Sequence, residues 1–267
     1  MIKNQEALYF TEDTIFKEVL SKRLDICKEL IERCAPDIQV GQLKLVETEK
    51  EIFVGKDRKV VRFDVLTKDD NRHYNIEMMT YQTNIERYIR YNQAMLDVDL
   101  TKGSHTDDLI NTLIIVFCTY DPFRLGRPIY SIRSTIDDAE NFSYNDGRRA
   151  IVVTPKGMDK ADEKLLPVIQ LLAKEPGNDA FTNNVNEAVK EARKSPETRR
   201  AQMNLEVKLN SVRRESKLEG MLEGKQITLA KDAKSIYEKT NMSFGEIKEL
   251  LDISDEDYEQ ILPQLKK

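Results

Sequence analysis

A chain of 267 residues, 40% hydrophobic and 33% charged, is long enough for one well-filled core with appendages or for two domains. Its net charge of −5 excludes a protein that coats nucleic acid by bulk attraction, although a local basic cleft remains open to it. The two histidines rule out a histidine-rich zinc centre, and no run of about 18 apolar residues offers a membrane span. Cys27, Cys34 and Cys118 lack metal-ligand spacing and read as reduced, buried thiols. The opening Met-Ile-Lys-Asn-Gln-Glu-Ala-Leu lacks the apolar segment of a signal peptide, so the expected setting is cytoplasmic.

The spacing of Phe16, Val19, Leu20, Leu24, Leu30 and Ile31 predicts one helix over 13–34, capped by Asp13. A strand follows within 40–48, with 52–54 extending it or pairing with it, and further strands cover 59–67 and 72–79. Asn84 is placed to cap a helix that Gly103 stops near 102. Residues 113–119 are apolar on both faces, the pattern of a central strand covered on each side. After a loop over 121–128, strands at about 129–134 and 149–154 complete a mixed sheet ending near Pro155. The chain is therefore expected to be α/β up to that point and helical beyond it.

Helices are predicted over 159–174, 179–194 and 197–240, the last carrying Leu-Glu-Gly-Met-Leu-Glu-Gly at 218–224. Each glycine weakens a helix by up to about 1 kcal/mol relative to Ala, so 197–240 reads as a linker or an oligomerising stalk through which a homodimer forms. The tail over 241–267 holds two short helices capped by Ser243 and Ser254, in helix-turn-helix rhythm. Its second helix carries Asp255, Glu256, Asp257 and Glu259, which oppose entry into a phosphate-lined groove and leave structural docking or a protein contact.

Chemistry concentrates earlier. Thirteen residues separate Asp64, in Val-Val-Arg-Phe-Asp-Val-Leu (60–66), from Glu77, in Tyr-Asn-Ile-Glu-Met-Met (74–79), with the polar turn Lys-Asp-Asp-Asn-Arg (68–72) between. Acids embedded in apolar strands cost several kcal/mol to desolvate unless a cation or hydrogen bonds compensate them. Two readings remain open: a pair that holds a hard divalent ion through oxygen ligands, or two solvent-facing acids on a hairpin.

At these acids the chain resembles the PD-(D/E)XK nuclease superfamily and, more narrowly, the bacterial Rpn-type recombination-promoting nuclease and transposase family. The likeness rests on Phe16-Lys17, Arg62-Phe-Asp-Val-Leu66, Tyr74-Asn-Ile-Glu-Met78 and Arg90-Tyr-Asn-Gln-Ala-Met-Leu-Asp97, then on Phe117-Cys-Thr-Tyr-Asp-Pro-Phe123 with Gly126-Arg-Pro-Ile-Tyr130. It spans about residues 10 to 160 in order. The resemblance implies a restriction-endonuclease-like mixed β-sheet core flanked by helices over 1–157, a helical extension over 158–196, a linker helix over 197–240 and a small tail over 241–267. It also implies metal-dependent hydrolysis of DNA phosphodiesters. Asp64 and Glu77 would bind Mg²⁺ or Mn²⁺, with the backbone carbonyl of Met78 as a further ligand. Read from their helix faces, Arg87 and Arg90 either clamp DNA phosphates or are solvated and paired with Glu86 and Asp97.

The family pattern places Lys or Gln where this chain has Met79. A thioether neither orients water nor stabilises developing charge well, and losing such a donor costs about 10² to 10³ in rate. Three outcomes follow: another side chain substitutes (Gln82, Arg87, Arg90 or, best placed in a matched motif, Gln93); a weakened enzyme keeps metal and DNA; or a catalytically degenerate pseudonuclease serves as a DNA- or protein-binding module. Glu18 is read as a helix-surface charge, with an extra catalytic acid as the alternative. Asp121 is read as a turn or cap residue, His73 as facing the turn, and Tyr81, Tyr88 and Tyr91 as core or as base-stacking side chains.

Overall fold

A computed structural model of the chain describes residues 9–54, 59–100, 105, 109–137, 142 and 144–265. It divides into two compact units, Met1–Arg200 and Ala201–Lys267. The first begins with helices α1 (Asp13–Lys22) and α2 (Leu24–Cys34). The single helix expected over 13–34 breaks at Arg23, whose backbone leaves helical angles (φ −119°, ψ 74°). Its guanidinium donates to Asp25 and, at 2.8 Å, to Asn184, so the break is held by side chains whose partners lie far apart in sequence.

Six strands form one sheet in the order β1-β2-β3-β4-β6-β5. They are β1 (Lys44–Val54), β2 (Lys59–Lys68), β3 (Arg72–Met79), β4 (Asn111–Cys118), β5 (Ile129–Ile132) and β6 (Arg148–Val153). Strand β1 begins within the expected 40–48 segment and continues through 52–54, which extend it rather than pair with it, with a register shift between Leu45 and Glu47. Strands β1, β2 and β3 form an antiparallel meander. Helix α3 (Ile85–Leu100) then carries the chain to β4, which lies parallel to both β3 and β6, while β5 is antiparallel at the edge. Parallel neighbours need such a crossover because a tight turn cannot join them. Asn84 caps α3 by accepting the Arg87 N–H at 3.0 Å, and Gly103 lies outside the described residues.

Alternation along β3 and β4 divides the core between the two sheet faces. Tyr74, Ile76, Ile115 and Phe117 pack with α1, α2 and the later helices α4 (Leu166–Ala173) and α5 (Ala180–Lys194). Phe16 meets Phe117 edge-on there, with ring centroids 6.0 Å apart. On the opposite face Met79, Ile114, Val116 and Cys118 pack with Ile85, Tyr88 and Ile89 of α3. The helix expected over 159–174 is instead a single 3-10 turn at Met158–Lys160 followed by α4, with Pro167 in the first turn, where its missing N–H is harmless.

Helix α6 (Pro196–Lys239) runs from the first unit into the second. In the second unit its last turns bury Ala230 and Ala233 against Ile247 of α7 (Phe244–Leu250), Ile253, and Ile261 and Leu265 of α8 (Asp255–Leu265). The tail thus packs on the end of the stalk helix. Ser243 and Glu246 form a reciprocal capping box, and the Ser254 hydroxyl accepts the Asp257 N–H at 3.2 Å. Cys27, Cys34 and Cys118 are free and buried. Among the described residues no helix is long and apolar enough to cross a membrane.

Candidate active site

The sheet forks at Asp64. Strands β2 and β3 pair from Lys68↔His73 to Val65↔Ile76 and no further, whereas β2 continues alongside β1 to Lys59↔Val54. Strand β3 in turn stays with β4 through Glu77↔Val116 to Met79↔Cys118. Beyond the fork the Met78 N–H has lost its partner strand, and the Asp64 carboxylate takes the place of a ladder carbonyl, accepting it at 3.0 Å. Across the gap, Glu77 Oε1 accepts the Asp64 N–H at 3.4 Å. The two acids therefore stand side by side where the hairpin opens.

A helix on each side of the sheet grips the pair. From α1, Lys17 Nζ lies 3.1 Å from Asp64 Oδ1 and 2.8 Å from Asp13 Oδ2. From α3, the Tyr88 hydroxyl donates to Glu77 Oε2 at 2.8 Å. Every carboxylate oxygen of Asp64 and Glu77 thus receives a protein donor. Asp64 is 9% exposed and Glu77 1%, which excludes solvent-facing acids on a hairpin.

Burial sets the electrostatics. It pushes the Glu77 carboxyl well above the usual range, and the adjacent Asp64 charge pushes it further, against the opposing effect of the Tyr88 hydroxyl. Burial also raises Asp64, against the attraction of Lys17. For Lys17 burial acts downward, but Asp64 and Asp13 together outweigh it and raise the pKa, so the ammonium stays charged. Tyr88 is raised by burial and by Glu77, which keeps its hydroxyl a donor.

The other residues singled out by the sequence lie elsewhere. Gln93 donates to Asp97 at 2.9 Å and to Thr112 at 2.8 Å. Thr112 pairs with His73, and four residues of parallel register separate that level from Glu77, about 13 Å along the strand. Arg90 lines a cleft of about 450 Å³ with Gln93, Asp97, Arg133, Arg148 and Arg149. In that cleft Arg148 pairs with Asp97, while Arg133 and Arg149 pair with Asp37; no ion pair of Arg90 occurs among the described residues. Arg87 and Gln82 are exposed. Met79 is 2% exposed within the apolar cluster beneath α3, so its thioether serves packing.

Glu18 pairs with Lys22 at 2.6 Å. Asp121 organises its loop by accepting the Phe123 and Gly126 N–H groups and the Tyr130 hydroxyl. His73, expected to face the turn, is buried, because it belongs to the paired part of β3.

Among the described residues no group of three or more His, Cys, Asp and Glu side chains gathers around a metal position. The donor set nonetheless fits a hard divalent ion, which commonly takes one or two carboxylates and completes its shell with water or substrate oxygens. Asp13 and Asp64 share Lys17, and Glu77 adds a further carboxyl, so among the described residues the cluster has fewer cations than acids. Two partners of the pair, Lys17 and Tyr88, are named in the sequence without being assigned to it, Lys17 only within a matched motif and Tyr88 as a core or base-stacking side chain. Tyr88 carries a usable signal: one turn beyond the Asn84 cap, it sits where a helix leaving the end of β3 must pass beside Glu77. Comparison with known family models, curated proteins and solved structures finds no match for this chain.

Proposed function

We propose that this protein is a metal-dependent DNA endonuclease with a restriction-endonuclease-like core. The observation that carries the proposal is the pairing of Asp64 and Glu77 at the fork in the sheet, buried and, among the described residues, short of positive charge. The order of helices, three antiparallel strands, crossover helix and parallel strand supports it, as does the ordered series of motifs in which the sequence resembles the Rpn-type family. Asp64 and Glu77, with the Met78 carbonyl, would hold Mg²⁺ or Mn²⁺, which when bound polarises a phosphate and makes a coordinated water more acidic. The protein's own residues do the positioning. The Met78 N–H fixes the Asp64 carboxylate, Tyr88 fixes Glu77, and Arg90 offers a guanidinium to the DNA backbone from the neighbouring cleft.

Dimerisation through α6 belongs to the same proposal, supported by the exposed Met203, Val207, Val212, Leu218 and Met221 along that helix. A cytoplasmic setting is supported by the three free thiols. The test is nicking of supercoiled plasmid by the purified wild type and by Asp64→Ala. Wild type is expected to nick with Mg²⁺ and to stop with chelator, while Asp64→Ala stays silent. Equal nicking by both proteins, or none by wild type, refutes the assignment.

A second function, a DNA- or protein-binding module without cleavage, is favoured by one observation: Met79 is sealed in apolar packing and presents no donor to the acid pair. Calorimetry with Mn²⁺, together with binding of a labelled duplex in chelator, separates a module that binds DNA without metal from an enzyme that requires it.

A further inference from the structure

Hydrolysis of a phosphodiester places extra negative charge on the phosphate as the attacking oxygen arrives, and a fixed cation aimed at that charge is worth far more in a buried site than in water. The acid pair cannot provide it, and Met79 carries no charge and points into the core. Gln93 is held by Asp97 and Thr112 about four residues away along the strands. Arg90 lines the separate cleft, and Gln82 is exposed beyond the end of β3. Lys17 is different. It rises from α1 to place its ammonium 3.1 Å from Asp64, it retains 12% side-chain exposure, and Asp13 holds it from the other side.

We propose that Lys17 is the catalytic cation of this site, supplying from the first helix the charge-stabilising donor that position 79 lacks. This rests on the nuclease assignment above and deepens it. In the reaction a water oxygen forms a bond to phosphorus while the bond from phosphorus to one sugar oxygen breaks. The water gives up a proton to solvent, and the departing oxygen takes one from solvent, so diester and water become monoester and alcohol with no other reactant. Lys17 keeps its proton throughout. Its N–H groups donate to a non-bridging phosphate oxygen, while Asp13 and Asp64 fix the ammonium so that little reorganisation is needed.

The experiment uses the full chain, with supercoiled plasmid nicking in Mg²⁺ as one measurement and Mn²⁺ affinity by electron paramagnetic resonance as the other. Lys17→Met is expected to lose about 10² to 10³ in nicking rate, and Lys17→Arg to regain part of it. Mn²⁺ affinity of Lys17→Met is expected to hold or tighten, because a competing cation has left Asp64. Lys17→Gln, which keeps a donor to Asp64 without the charge, is expected to show the same loss and serves where Lys17→Met fails to fold. A Lys17→Met protein that nicks at the wild-type rate overturns the proposal and leaves the nuclease assignment standing. Loss of rate and of Mn²⁺ affinity in parallel also overturns it, since that is the signature of a lysine that only organises the acids. Wild type no more active than Asp64→Ala removes the nuclease assignment itself, and Lys17's role with it.

Discussion

Replacing Glu77 by Gln separates the charge of this buried side chain from its shape. The amide keeps an oxygen for the Asp64 N–H and a polar group for the Tyr88 hydroxyl, and the volume hardly changes. What disappears is a carboxyl whose folded pKa is raised by burial and by Asp64. Stability linked to a raised pKa is fully present below the unfolded value, about 4.3, and is lost as pH rises through the folded one. Wild type and Glu77→Gln should therefore follow parallel stability curves near pH 4 and separate above it, with the variant gaining. Each unit by which the pKa is raised is worth about 1.4 kcal/mol. For a unit of this size that corresponds to about 3–6 °C in Tm. The assay is thermal unfolding by circular dichroism from pH 4 to pH 9 in chelator, repeated with Mn²⁺, which should raise the wild-type Tm and leave the variant unmoved. A constant offset across pH, or a wild type that gains on the variant as pH rises, would show that Glu77 is ionised and adequately compensated by the protein. The acid pair would then have no unmet demand for an external cation.

Tyr88→Phe removes the donor to Glu77 Oε2 and should cost about 1–3 kcal/mol by urea unfolding, more where the pH exceeds the raised Glu77 pKa than at pH 4; no change would place that hydroxyl in water instead. Met79→Gln inserts an amide among Ile85, Ile114, Val116 and Cys118 and should cost about 1–3 kcal/mol, so any gain in nicking must be measured below the lowered melting temperature. Asp69→Ala deletes the acceptor of the Gly41, Asn71 and Arg72 N–H groups and of the Tyr74 hydroxyl, and should cost about 3 kcal/mol. Although burial opposes it, those bonds lower the Asp69 pKa. Its contribution is therefore present above the unfolded value, about 3.9, and fades as pH falls through the folded one, which acid titration of wild type against the variant will show.

The strands were legible because their apolar residues are unambiguous. Strand β3 matches its expected span, and β4 is buried on both faces as its unbroken apolar run requires. The acids were legible because charge inside such runs is costly. The fork was not, since it depends on β2 preferring β1 to β3 beyond Val65, and nothing local to residues 60–66 encodes that choice. Lys17 enters the sequence reading only through the Phe16-Lys17 motif, and its i, i+4 spacing from Asp13 points to a surface pair rather than to Asp64. Only the packing of α1 over the sheet brings it to Asp64. Gln93 lies away from the acid pair for the opposite reason: its motif is local, but its direction is set by where α3 crosses β4. The break at Arg23 likewise depends in part on Asn184, far along the chain.

The two acids differ in what the fold alone asks of them. Asp64 has a structural task, because the Met78 N–H at the fork needs an acceptor, and a protein with no chemistry to perform would still benefit from a carboxylate or amide there. Glu77 has no such justification. Its neighbours would be satisfied by Gln, and its burial beside Asp64 disfavours the ionised form. Lys17 relieves Asp64 and is shared with Asp13, so the protein supplies no second cation to Glu77 among the described residues. If Glu77 proves worse for stability than Gln, its retention argues for a role of its charge, and the proposed metal would supply the cation that offsets it. This asymmetry ties the metal-binding proposal to Glu77 more firmly than to Asp64, and it makes Glu77→Gln the substitution expected to abolish the proposed metal binding at the least structural cost.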